Sequence, residues 1–130
     1  MSQSNEIKAD GTFKRQKALF STRFGSEQEN LPVEKNRYRL IWSAPCPWSH
    51  RAVIVRKILG LEDVISLGEV DPIRPNVPRI DWAFSLDEHE EDPVLGIKYL
   101  SEVYTKAEPD YTGRPTVPVM VDVQTKKAVN

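Results

Sequence analysis

The sequence predicts an α/β fold in the element order β-α-β-α-β-β, wound into one mixed sheet. Three observations carry this reading. A short β-prone run, Tyr38 to Ser43, ends at Ala44-Pro45-Cys46-Pro47 and passes directly into residues at helical spacing. A second apolar stripe at helical spacing follows Asp92-Pro93, and two β-branched segments joined by a polar turn close the chain.

Residues 1–35 mix charge with Ser, Asn and Gln, and their aromatic residues Phe13, Phe20 and Phe24 are too scattered to form a core. They read as an extension draped on a domain of residues 36–130. Tyr-Arg-Leu-Ile-Trp-Ser at 38–43 makes a first strand, which the flanking prolines of Cys46 terminate. Pro47 suits the first position of a helix, where its missing N–H costs nothing. Ala52, Val53, Arg56 and Leu59 then recur at helical spacing until Gly60, which predicts a helix over Pro47–Leu59. Val64–Val70 reads as a second strand. Asp71–Asp92, with Pro72, Pro75, Pro78 and a dense acidic run, fits neither period and reads as a long excursion. Asp92-Pro93 is a cap followed by a first helical residue, and Leu95, Tyr99, Leu100, Val103, Tyr104 and Ala107 set a second helix that runs to Pro109. Thr116–Val123 and the segment from Ala128 form a closing hairpin around Gln124–Lys127. The first crossover requires a right-handed parallel pair and the hairpin an antiparallel one. This is a thioredoxin-like βαβαββ topology, short of its last helix, and the sheet face that helix would cover is expected to remain an exposed apolar patch.

At 130 residues and 39% hydrophobic content, the chain fits one domain with a modest core. Its net charge of -1, from 18 basic and 19 acidic side chains, argues against nucleic acid or an anionic membrane as partner. No stretch approaches the ~18 apolar residues of a membrane span, and the start of the chain lacks the apolar core of a signal peptide. A soluble, cytoplasmic protein is expected. The lone Cys46 cannot close an internal disulfide, so any role it has is that of a thiol.

Cys46 stands where a strand gives way to a helix, a place where unpaired backbone N–H groups and the positive end of the helix dipole favour a thiolate. His50 and Arg51 could add positive potential. The competing reading is a buried cysteine that only fills space, and the prolines on either side argue against it. Thr116-Val117-Pro118-Val119 places a proline at a strand start, where it is either an ordinary edge-strand proline or part of a cis bond. In the cis form the Val117 N–H and C=O would be free to pair with an extended peptide-like ligand.

With Cys-Pro-Trp-Ser-His-Arg at 46–51 and Thr-Val-Pro-Val at 116–119, the chain resembles the omega-like, cysteine-type glutathione transferases. Arg37-Tyr38, Ile54-Val55-Arg56-Lys57, Gly60-Leu61-Glu62, Trp82-Ala83-Phe84 and Tyr111-Thr112-Gly113-Arg114 narrow the resemblance to the glutathionyl-hydroquinone reductases, or xi class. The resemblance implies glutathione as co-substrate and Cys46 as catalytic nucleophile. Cys46 would attack the thioether sulfur of a glutathionyl-hydroquinone and leave a mixed disulfide, which a second glutathione resolves. It further implies that Trp82 packs on glutathione, that Val117 beside Pro118 pairs with its backbone, and that Arg114 reaches a carboxylate. Small aromatic thioethers or quinones become the expected partners, and a homodimer the assembly that such proteins often form.

Two departures from that pattern stand out. Ser49 occupies a position that is usually Ala. The chain also stops at Asn130, before the acid-serine pair and the all-helical domain of such proteins, so both are expected to be absent. Thioltransferase or dehydroascorbate reductase activity is a competing function on the same scaffold, and a non-catalytic glutathione-binding or interaction fragment is another. The run Asp87–Asp92 reads as a solvated acidic loop and no metal site is expected, because consecutive polar residues cannot all face one ion. Trp42 and Trp48 read as partly core, and Arg74 and Arg79 as surface charge.

Overall fold

The computed structural model describes residues 6–75 and 80–130; Arg79 lies outside the described residues, as does the start of the chain. Four strands form one sheet in the order β2-β1-β3-β4. They are β1 (Tyr38–Trp42), β2 (Ile65–Glu69), β3 (Val119–Asp122) and β4 (Lys127–Ala128), with helices α1 (Pro47–Ile58) and α2 (Ser101–Ala107). β1 runs parallel to β2 and antiparallel to β3, and β3 runs antiparallel to β4. The topology is thioredoxin-like, in the order that the pattern of apolar and turn residues predicts.

The core lies on the α2 side of the sheet. Ile41, Val119 and Val121 point from the strands toward Leu95, Leu100, Val103 and Phe84, all of them buried. Each such side chain contributes roughly 2 kcal/mol on leaving water. Arg39 also points to this side, and its Nε donates to Asp92 Oδ2 at 2.9 Å in a buried ion pair. Gly68 on β2 makes room for it: a Cβ there would stand 2.7 Å from Ile41 Cδ1 and 3.0 Å from Arg39 Nε. On the other side of β1, Phe24 packs edge-on against Tyr38 at 4.8 Å, and the Tyr38 hydroxyl donates to the Pro32 carbonyl.

The second helix is much shorter than the apolar stripe predicts. Asp92 does cap a turn, its Oδ1 accepting the Val94 and Leu95 N–H groups. Gly96 then takes a left-handed φ of 65°, which ends the turn, and the chain runs on extended. Phe84 N–H donates to Lys98 O and Leu100 N–H to Trp82 O, so residues 82–84 and 98–100 pair across the excursion before α2 begins. Asp92 is buried, which corrects the expectation of a wholly solvated acidic run: its charge is held by Arg39 and its cap bonds.

The exposed apolar surface is also not where the sequence places it. Tyr38, Leu40 and Ile41 of β1 are all buried, so this central strand is covered on both faces. Ile54, Val55, Ile58 and Leu59 on and after α1 are exposed instead. Leu59 thus leaves the inward stripe, which comprises Ser49, Ala52, Val53 and Arg56, because it falls beyond the last helical turn. Trp48 is likewise 55% exposed instead of partly core, with the Arg51 guanidinium stacked over its ring at 5.1 Å. Among the described residues no helix is long and apolar enough to cross a membrane.

Candidate functional site

Cys46 is the N-cap of α1. Its backbone is extended, with φ -90° and ψ 112°, and Pro47 follows as the first helical residue. The sulfur accepts the Ser49 N–H at 3.4 Å, so one of the donors that a helix start leaves unpaired is directed at it. The thiol in turn faces the Val117 carbonyl oxygen at 3.7 Å. The sulfur is partly buried, which combines access with a preorganised donor.

The turn that carries Cys46 is braced from both ends. Ser49 is fully buried, and its Oγ accepts the Ser43 N–H at 3.3 Å, which ties the end of β1 to the first turn of α1. His50 Nε2 donates to the Ala44 carbonyl at 2.6 Å, and its ring meets Trp42 edge-on at 5.3 Å. His50 therefore serves the backbone of the turn, and Arg51 lies over Trp48. The bracing roles of Ser49 and His50 were missed in the sequence, where a polar residue inside the first turn was the only signal.

Opposite the thiol, the Val117–Pro118 bond is cis. The Val117 carbonyl is not free, as the sequence reading had it, because the thiol occupies it. The approach to β3 is held by Tyr104, whose hydroxyl donates to the Thr116 carbonyl at 2.8 Å. Arg114 is held more firmly still. The Gln16 side-chain amide clamps its peptide group, with Arg114 N–H donating to Gln16 Oε1 and Gln16 Nε2 to Arg114 O, both at 2.8 Å. Arg114 Nε then donates to the buried Glu6 carboxylate at 3.3 Å. The Gln16 N–H on its other oxygen and the Arg114 guanidinium hold the Glu6 carboxyl below its usual range, against the opposing effect of burial.

Trp82 is mostly buried in the core cluster, against which Val117 also packs. Its N–H and that of Ser101 are both capped by Asp81 Oδ1, and Arg74 lies over its ring at 5.0 Å. The indole Nε1 is buried with no hydrogen-bond partner among the described residues. Of the residues that the sequence singles out, Cys46 and Val117 thus touch, Arg114 and Pro118 border one cavity, and Trp82 lies in the core cluster with Arg74 over its ring.

A thiol at a helix mouth opposite a cis-proline loop, on a thioredoxin-like sheet, is consistent with the sequence comparisons. The family profile "Glutathione S-transferase, N-terminal domain" matches residues 45–130. The chain belongs to this family. Among glutathione transferases, it is 40% identical over 123 residues to "Glutathione S-transferase omega-like 2" of Schizosaccharomyces pombe, a match covering 93% of this chain and 38% of that protein. It is similar to the crystal structure of the glutathione S-transferase Xi from Phanerochaete chrysosporium, with a TM-score of 0.80 and 38% identity over 95% of this chain and 40% of that one. It is also 40% identical over 92 residues to the glutathionyl-hydroquinone reductase YqjG of Escherichia coli, covering 69% of this chain and 27% of that protein. The glutathione-bound structure of YqjG matches with a TM-score of 0.68 and 35% identity, over 81% of this chain and 34% of that one. The chain thus spans less than half the length of these relatives.

Proposed function

We propose that the chain is the glutathione-binding, thiol-active part of a cytoplasmic enzyme that reduces glutathionyl-hydroquinones through Cys46. Residues 36–130 form the binding unit and residues 1–35 an extension to it. The observation that carries the reading is the position of the Cys46 sulfur, which caps α1, accepts the Ser49 N–H and faces the Val117 carbonyl.

When Cys46 ionises it loses its S–H donor, and the Val117 carbonyl becomes available to the backbone of a bound glutathionyl group. The thiolate keeps the Ser49 N–H, which stabilises its charge. It attacks the sulfur of the aryl thioether: a sulfur–sulfur bond forms, the aryl carbon–sulfur bond breaks, and the aryl carbon takes a proton to give the hydroquinone. A second glutathione thiolate attacks the glutathionyl sulfur of the mixed disulfide, releasing oxidised glutathione and regenerating Cys46. The hydroquinone gains two electrons and two glutathione sulfurs lose them, so the cycle balances.

Trp82 would pack along the glutathione, and Arg114 would exchange Glu6 for a glutathione carboxylate. The reading is supported by the relatives named above and by the geometry of the thiol.

The test is turnover of a glutathionyl-hydroquinone by the chain and by its Cys46→Ser variant. Release of hydroquinone with one oxidised glutathione per turnover, lost in Cys46→Ser, is expected. Release that survives the substitution rules out Cys46 as nucleophile. Reduction of dehydroascorbate without release of hydroquinone reassigns the substrate.

A further inference from the structure

The residues around the start of β3 enclose a space that the thiol chemistry leaves unused. It is a cavity of about 250 Å³ between the segment leading into β3, the end of α2 and the segment carrying Gln16 to Phe20. Three aromatic rings form one wall. Tyr104 and Tyr111 stack at 5.2 Å, and Phe20 meets Tyr104 edge-on at 5.3 Å and Tyr111 at 5.7 Å. Both tyrosine hydroxyls already donate to backbone carbonyls, Tyr104 to Thr116 and Tyr111 to Arg114, and burial holds both phenols above their usual range. The rings therefore remain neutral and offer faces and edges.

The charge around this wall is mostly positive. Arg15, Lys17 and Arg114 line the cavity, together with Asn130, the last residue of the chain, which carries its terminal carboxylate. Glu6, which bonds Arg114 from outside the lining, is the second carboxylate beside the three cations. Arg15 and Lys17 are exposed at the mouth, whereas Arg114 is fixed by the Gln16 clamp. An apolar cavity of ~150 Å³ is large enough to hold benzene, so this space takes one ring with an anionic substituent. It falls below the ~300–1,000 Å³ of sites for larger ligands.

We infer that this cavity is a binding site for a small single-ring aromatic anion, a carboxylate or a phenolate. The ring packs on Phe20, Tyr104 and Tyr111, and the charge turns to Arg15, Lys17 and Arg114. An aliphatic acid loses the ring contacts, and a neutral ring loses the charge. Pro118 borders the cavity while its neighbour Val117 faces the thiol, so the ligand would sit beside the reactive loop without occupying the sulfur. The site does not depend on the glutathione reading, although Arg114 is common to both.

Titration of the isotope-labelled chain, without glutathione, followed by amide chemical shifts, tests this directly with benzoate, cyclohexanecarboxylate and benzamide as probes. Benzoate should shift amides at residues 15–20 and 104–118 and bind about tenfold more tightly than either analogue, the equivalent of about one charge-assisted or ring contact. The double variant Arg15→Gln, Lys17→Gln alters only exposed side chains. It should weaken benzoate about tenfold and leave benzamide unchanged. The site is wrong if benzoate causes no shifts or shifts elsewhere. Equal binding of benzamide, or full benzoate affinity in the double variant, removes the anion from the assignment.

Discussion

The Cys46 thiol lies 3.7 Å from the carbonyl oxygen of Val117, a residue 71 positions further along the chain. Sheet register brings them together. Ile41 pairs with Val119 across the antiparallel β1–β3 ladder, so the turn that leaves β1 and the loop that enters β3 run side by side. The N-cap geometry of α1 then directs the sulfur at that loop.

His50 is predicted to act on the reactivity of Cys46 through the backbone. Its Nε2–H bond to Ala44 O is a single brace on the turn, so His50→Ala should slow the reaction of Cys46 with oxidised glutathione about fivefold, the equivalent of one hydrogen bond of about 1 kcal/mol. His50→Gln, which keeps a donor, should recover much of the rate. Equal rates in all three proteins would show that the brace is idle.

The buried pair of Arg39 and Asp92 should dominate single-site losses of stability. Removing either partner strands the other: Arg39→Ala should cost about 3 kcal/mol. Asp92→Ala should cost more, because it also releases the Val94 and Leu95 N–H groups. The double variant should cost less than the sum of the two, since it leaves no stranded charge. Urea unfolding midpoints of the four proteins measure this, and strict additivity would contradict the coupling.

How much of this was legible beforehand follows from the range of each interaction. β1, the start of α1 and the closing hairpin rest on local signals: a β-prone run, a proline at the first helical position and a polar turn. The length of α2 was misread because Leu95 and Leu100 are both buried, which preserves a helical-looking stripe across the left-handed Gly96. The period alone cannot distinguish a helix from a capped turn followed by an extended pair. The Gln16 and Glu6 contacts with Arg114 join residues about a hundred positions apart, and no spacing rule reports them. The places of Cys46 at the start of α1 and of Pro118 at the start of β3 were legible because residue type and position coincide there, whereas the cis bond was one of two open readings.

Acid should loosen the segment around Glu6. The Glu6 carboxyl titrates below its ordinary 4.5 in the folded chain, held there chiefly by the Gln16 N–H and then by Arg114. Its contribution to stability is therefore complete above that ordinary value and is lost as pH falls through the lower folded value. Glu6→Gln should cost about 1 kcal/mol at neutral pH and flatten the loss of stability as pH falls below the ordinary carboxyl value of 4.5. Unfolding midpoints across that range test this; parallel curves for the two proteins would show that Glu6 is not the group responsible.

The most direct measurement is the intact mass of the chain after incubation with oxidised glutathione, beside that of Cys46→Ser. One glutathionyl adduct, mapped to Cys46 and removed by reduced glutathione, is the predicted result. A native, soluble chain whose mass does not change, or an adduct that reduced glutathione cannot remove, would contradict Cys46 as the sulfur through which this fold transfers glutathione.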